Sequence, residues 1–148
     1  AQVPFPEDLR AVMFIPDPPM PTEKARSILS QQVSREDAVY NSGRVALLVN
    51  ALATGRLDYL RVATQDRLHQ PARQALMPAM SLLFRSALDA GALGVFLSGA
   101  GPTVLALTQG KELTVAYEMA DMANKAQLPG QVRVTRPIVQ GAHVSHKK

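Results

Sequence analysis

A chain of 148 residues, 47% of them hydrophobic, suffices for one domain with a single core and is short for two. It has no cysteine, which excludes a disulfide framework and a thiolate metal site, and it holds no apolar run of the length a bilayer demands. The net charge of +4 comes from arginines scattered singly among acids, with His146-Lys147-Lys148 as the one basic run. That pattern predicts a solvated surface suited to small anions rather than to nucleic acid or membrane, with the cytoplasm as the default location.

The opening Val3-Pro4-Phe5-Pro6 loses amide donors to its prolines, so residues 1–10 read as a linker or a cut edge. Ala11 to Ile15 is an apolar run of strand length, stopped by Pro16 and the prolines that follow. Thr22 stands where an N-cap belongs, ahead of a short helix to about Leu29. Ser34-Arg35-Glu36-Asp37 resembles a capping box and opens a helix with Val45, Leu48, Val49 and Leu52 on one face, ended by Gly55. A third helix is expected from Leu57 to His69, interrupted by Pro71. Pro78 opens a fourth, on which Met80, Leu83, Phe84, Ala87 and Leu88 repeat at helical spacing before Gly91.

Leu93–Leu97 and Thr103–Leu107 are strand-length apolar runs joined by Ser98-Gly99-Ala100-Gly101-Pro102, which predicts an antiparallel hairpin. From Lys111 to about Gln127 a helix places Leu113, Ala116, Tyr117 and Ala120 together, and Pro129-Gly130 closes it before a strand alternating Val132, Val134 and Ile138. These elements predict an α+β domain over residues 11–144: a two-layer sandwich, its mostly antiparallel sheet covered by helices in a split β-α-β arrangement. Residues 145–148 form a tail, and His143 and His146 receive no role.

Three stretches carry chemistry. In the hairpin turn, Gly99 and Gly101 permit backbone angles closed to other residues and let amides approach an anion, while Ser98 and Thr103 add hydroxyls. An ordinary hairpin loop is the alternative; a Walker A loop is excluded, since no Gly-Lys-Ser/Thr follows. In Pro21-Thr22-Glu23-Lys24-Ala25-Arg26, the Thr22 hydroxyl and Arg26 guanidinium stand one helical turn apart, a pairing that suits an amino acid's polar ends or simply an N-cap and a solvent-facing arginine. In Asp66-Arg67-Leu68-His69-Gln70-Pro71-Ala72-Arg73, a continuous helix would put Asp66, His69 and Arg73 on one face, as a ligand cluster or a surface ion-pair group. Asn41, Asn50, Tyr40 and Tyr117 are expected to cap, pack or face solvent.

Gly94 to Leu107, with its apolar strand, Ser-Gly-Ala-Gly-Pro-Thr and second apolar strand, resembles the third glycine-rich motif of the GHMP small-molecule kinases. Within that superfamily the Thr22-x-x-x-Arg26 and Asp66-x-x-His69-x-x-x-Arg73 runs are similar to substrate-holding elements of homoserine kinases. The resemblance implies a carboxy-terminal domain in which Thr22, Arg26, His69 and Arg73 bind L-homoserine, Arg26 and Arg73 clamp its carboxylate, and Ser98, Gly99, Ala100, Gly101, Pro102 and Thr103 lie near the phosphates. It implies ATP and Mg²⁺ for the complete enzyme, an amino-terminal GHMP domain as partner, and a place in threonine biosynthesis; a homodimer is left open.

No catalytic or metal-ligating residue is assigned to this chain. The family's long Pro-x-x-x-Gly-Leu-Gly-Ser-Ser loop occurs nowhere in Ala1 to Lys148, so the chain alone is expected to bind neither ATP nor Mg²⁺ and to be inactive. The competing readings are a GHMP kinase for another alcohol, such as a mevalonate-type acceptor, and a non-catalytic ligand-binding or dimerisation module.

Overall fold

The computed structural model describes residues 3–140 and residue 144; His143, His146 and the tail 145–148 lie outside the described residues. Four strands, β1 (Leu9–Pro16), β2 (Gly94–Leu97), β3 (Val104–Gln109) and β4 (Gly130–Thr135), form one sheet in the order β2-β3-β1-β4. Every neighbouring pair is antiparallel, with Phe14 opposite both Val104 and Val132. The helices are α1 (Thr22–Ser27), α2 (Arg35–Thr54), α3 (Leu60–Ala63), α4 (Gln70–Arg73), α5 (Met80–Asp89) and α6 (Glu112–Lys125), with a 3₁₀ turn at Leu57–Tyr59. This is the expected α+β sheet-and-helix architecture, and its order is that of a split β-α-β domain.

Strand periodicity divides the core. Val12 and Phe14 of β1, Val95 and Leu97 of β2, and Val104 and Ala106 of β3 point to one face, where α5 and α6 cover them with Met80, Leu83, Ala87, Val115, Met119 and Ala123. Leu9, Ala11 and Leu107 point to the other face, where Ala51 of α2 and Leu60 of α3 pack. The hairpin pairs as expected, Leu97 opposite Val104. Gly91, at φ +101, ends α5: its amide bonds the Leu88 carbonyl at 3.1 Å and the next amide, Ala92, bonds Ala87 at 2.9 Å, a Schellman closure. Among the described residues no helix is long and apolar enough to cross a membrane.

Several expectations give way. β1 starts at Leu9 and α1 stops at Ser27. Pro21, not Thr22, occupies the cap of α1, and Thr22 is its first helical residue. On α2 the buried position is Ala51, flanked by half-buried Leu48 and Leu52, whereas Val45 and Val49 are exposed. On α6 the sheet takes Val115, Met119 and Ala123 and leaves Leu113 and Tyr117 outside. Each of these helices carries two apolar stripes, so spacing alone could not choose the face that meets the sheet. Lys125 ends α6 because Gln127 turns left-handed at φ +54, ahead of the Pro129-Gly130 pair. Ile138 lies beyond β4 and is exposed.

The expected helix from Leu57 to His69 is broken. After α3, Thr64 turns its hydroxyl back to the Leu60 carbonyl at 2.9 Å, and residues 64–69 leave the helix. Asp66 offers the backbone a stronger acceptor than the next carbonyl, since its carboxylate gathers the amides of Leu68, His69 and Gln70 at 3.2, 2.7 and 2.5 Å. Those bonds cap α4, and Pro71 sits in its first turn, so this proline starts a helix and does not interrupt one.

Candidate functional site

Arg73 is the side chain that draws the site together. It stands on α4, only 8% exposed. A guanidinium is costly to bury unless acceptors meet it. Here Nε donates to the Ala25 carbonyl of α1 at 3.2 Å, and Nη1 donates to the Gly99 carbonyl in the hairpin turn at 3.0 Å. One residue thus ties the Thr22–Arg26 stretch, the Asp66–Arg73 stretch and the glycine turn into one region, although they are far apart in sequence. These two bonds use two of its five N–H donors.

The turn is shaped by its own backbone. Ser98 and Thr103 close it through the Ser98 amide and Thr103 carbonyl at 2.9 Å, and the Gly101 amide bonds the Ser98 carbonyl at 3.0 Å. Gly99 and Gly101 adopt φ of +59 and +85, angles that a side chain disfavours. A Cβ on Gly101 would also stand 2.8 Å from the Met20 methyl, so the segment before α1 packs on the turn beside Pro102. Ser98 and Gly99 are exposed, and Ala100, Gly101, Pro102 and Thr103 are half-buried.

Below the turn lies a cavity of about 290 Å³ whose walls include Asn41, Arg44, Asp66, His69, Gln70, Arg73 and Gly99, with Val45, Leu48, Phe96 and Leu97 as its apolar side. A larger hollow of about 580 Å³ lies across the same loop, against Arg61, Pro71 and Phe84, and touches neither His69 nor Arg73. The smaller cavity therefore joins His69, Arg73 and the turn. Thr22 and Arg26 do not line it; both are exposed on α1, whose backbone alone reaches Arg73.

Asp66 is positioning the loop rather than sharing a helical face with Arg73. Asn41 on α2 donates from Nδ2 to Asp66 Oδ1 at 2.5 Å and accepts the Arg67 amide at 3.0 Å, which clamps the loop from outside. The His69 ring Nδ1 lies 3.1 Å from Asp66 Oδ1. Burial pushes the Asp66 carboxyl up, but bonds from the Gln70 amide, the Asn41 side chain and the amide and ring of His69 outweigh it, taking the pKa from 3.8 to about 2. The folded state therefore favours the carboxylate. Its contribution is complete above the unfolded value of 3.8 and is lost as pH falls through about 2. At about 1.4 kcal/mol per unit this is roughly 2 kcal/mol. In urea unfolding at pH 6, Asp66→Asn should be less stable by about that amount, and the gap should close towards pH 2; a gap that does not change with pH would contradict this role for the charge.

Two residues escaped the sequence reading. Gln70 accepts the Leu97 amide at 2.8 Å and so pins α4 to β2, and nothing local in the sequence announces that long-range bond. Arg44 lies one helical turn beyond Tyr40 on α2 and stacks on its ring, with its guanidinium carbon 3.9 Å from the centroid. The i, i+4 spacing of an aromatic and an arginine was the available signal. Asn41 does pack and cap, as its position on α2 suggested.

The chemistry is that of a small pocket with guanidinium donors, an imidazole and a glycine turn. It suits a ligand with an anionic group and a short apolar part. Among the described residues no group of three His, Cys, Asp or Glu is placed to hold a metal ion.

Known proteins resemble this chain along most of its length. A homoserine kinase of Persephonella marina is 42% identical over 130 residues, which covers 84% of this chain and 43% of that protein. One from Crocosphaera subtropica is 39% identical over 145 residues, covering 97% of this chain and 47% of the relative. The chain thus spans less than half the length of these curated relatives. The crystal structure of homoserine kinase from Cytophaga hutchinsonii superposes with a TM-score of 0.90 at 31% identity, over 95% of this chain and 45% of that one. Residues 48–130, which hold the Asp66–Arg73 loop and the glycine turn, match the family described as GHMP kinases C terminal, and the chain belongs to that family.

Proposed function

We propose that this domain is the carboxy-terminal half of a homoserine kinase and supplies the acceptor side of its active site. The observation that carries the reading is the Arg73 guanidinium, bonded at once to α1 and to the glycine turn beside a cavity of about 290 Å³. The homoserine kinases of Persephonella marina and Crocosphaera subtropica support it through their similarity along nearly the same residues.

In the complete enzyme the bond between the β,γ-bridging oxygen and the γ-phosphorus of ATP breaks. A bond forms between that phosphorus and the side-chain hydroxyl oxygen of L-homoserine, the hydroxyl proton is released, and ADP departs. Arg73 and His69 hold the amino acid. Thr22 and Arg26 on α1 complete the set that binds it, and Ser98 to Thr103 border the phosphates. The phosphate loop, the Mg²⁺ that accompanies ATP and the groups acting on the hydroxyl belong to the amino-terminal half, and the reaction serves threonine synthesis in the cytoplasm.

The test is ADP release by the full-length protein. Turnover that depends on L-homoserine is expected, with none from the 148-residue chain alone. Absence of homoserine-dependent turnover in the full-length protein would reject the reading.

A further inference from the structure

We propose that Gln70 is a positioning residue for phosphoryl transfer: its side chain fixes the glycine turn against α4 and so governs the transfer step more than the binding of either substrate. The inference rests on the homoserine kinase reading and concerns the geometry between its acceptor and phosphate sides.

Phosphoryl transfer needs the attacking oxygen, the phosphorus and the leaving oxygen roughly in line, and a misplacement of about 1 Å costs roughly 100-fold in rate. In this domain the two sides of that geometry stand on different elements. The acceptor is held from α4, by Arg73 and by His69 at its cap, and the phosphates are bordered by the turn between β2 and β3.

β2 gives the turn little support of its own. It is four residues long and is the edge strand of the sheet, paired by β3 on one side. On its outer side Gly94 abuts α3, where a Cβ would stand 2.8 Å from the Thr64 methyl and 2.9 Å from the Leu60 carbonyl oxygen. That contact holds the start of the strand. At the other end the Ser98 amide turns across the hairpin to the Thr103 carbonyl at 2.9 Å, so the Leu97 amide before it turns outward. Leu97 is only 6% exposed, and a buried amide needs an acceptor. Gln70 provides it, through Oε1 at 2.8 Å.

Gln70 is itself fixed, since its own amide is bonded by the Asp66 carboxylate that caps α4. Three residues on, Arg73 donates to the Gly99 carbonyl at 3.0 Å. Residues 70 and 73 share a face of α4, so the two bonds stand about one helical turn apart, along the end of β2 and the turn. One bond sets a distance. Two of opposite sense, Gln70 accepting and Arg73 donating, also set the angle between helix and hairpin. The Gln70 oxygen answers backbone and not a substrate, so its loss frees the turn while Arg73 and His69 still hold the acceptor.

The experiment compares full-length wild type, Gln70→Met and Gln70→Glu by steady-state kinetics and by calorimetric titration with L-homoserine. Methionine keeps the length of the side chain without the acceptor, and glutamate keeps an accepting oxygen at the same reach. Gln70→Met should lower kcat about 10- to 100-fold, with the KM values for homoserine and ATP within about threefold and the wild-type binding stoichiometry retained. Gln70→Glu should recover most of that loss.

A residue that only braced the fold would lower the stoichiometry in step with kcat, and that result would overturn the proposal, as would a Gln70→Met chain that does not fold. Weaker homoserine binding as the main effect would make Gln70 a ligand contact and overturn it too. So would an unchanged kcat, or a Gln70→Glu chain no faster than Gln70→Met. In each of these outcomes wild-type turnover with L-homoserine leaves the kinase reading standing; its absence would reject that reading and this one together.

Discussion

Replacing Arg73 with alanine in the full-length protein should lower kcat/KM for homoserine about 100-fold while the KM for ATP stays within about twofold. A charge-assisted contact to a substrate carboxylate is worth roughly 1.5–3 kcal/mol, which sets that scale. The same substitution leaves the carbonyls of Ala25 and Gly99 without their donor, so a loss of stability of about 2–3 kcal/mol should accompany it. The two effects separate in the kinetics. A residue that only braced the fold would lower the active fraction and leave KM for homoserine alone, whereas a binding residue raises it. Steady-state assays at several homoserine concentrations, with thermal melting in parallel, make the distinction. An unchanged KM would confine Arg73 to joining α1 and the turn.

The second large effect is expected at Gly130, far from the pocket. Gly130 pairs with Pro16 where β4 meets β1. A Cβ there would stand 2.5 Å from the Ile15 carbonyl oxygen, 2.7 Å from the Phe14 ring and 2.9 Å from the Pro16 Cα. Two of those three atoms are backbone, and Phe14 is buried in the main core, so nothing nearby can yield cheaply. Gly130→Val should cost about 3 kcal/mol through displacement of β4. Gly43, mid-way along α2 with no atom within 4 Å of its virtual Cβ, is the control. Gly43→Ala should stabilise by up to about 1 kcal/mol, because alanine surrenders less backbone entropy in a helix. Urea midpoints of the two variants should fall on opposite sides of wild type; two equal shifts would contradict the steric account.

Much of the fold could be read from sequence because local signals agreed with the tertiary outcome. The Met80, Leu83, Ala87 stripe faces the sheet as its spacing predicted, and the glycines at 99 and 101 sit where the hairpin must reverse. The readings that failed depended on partners distant in the chain. Whether Leu113 or Val115 faces inward on α6 is decided by the sheet beneath, since both stripes are apolar. The break at residues 64–69 follows from one carboxylate competing with helical carbonyls, reinforced by Asn41 from another helix.

For the site, the motif-like runs named stretches that the fold brings together through Arg73, but not the geometry between them. Arg73 took its place through two carbonyls that no local spacing could reveal. Arg26 sits correctly one turn from Thr22, yet both are exposed. Arg44, which no motif singled out, stacks on Tyr40 and lines the cavity.

The central claim is that this domain forms an amino-acid acceptor site, and the acceptor profile of the full-length protein tests it most directly. ADP release should be measured with L-homoserine, 3-amino-1-propanol and mevalonate as competing choices. Homoserine should exceed each of the others in kcat/KM by about 100-fold or more, since only it brings an amino acid's carboxylate on the right frame to Arg73. Preference for mevalonate, or indifference to removal of the carboxylate, would contradict the account.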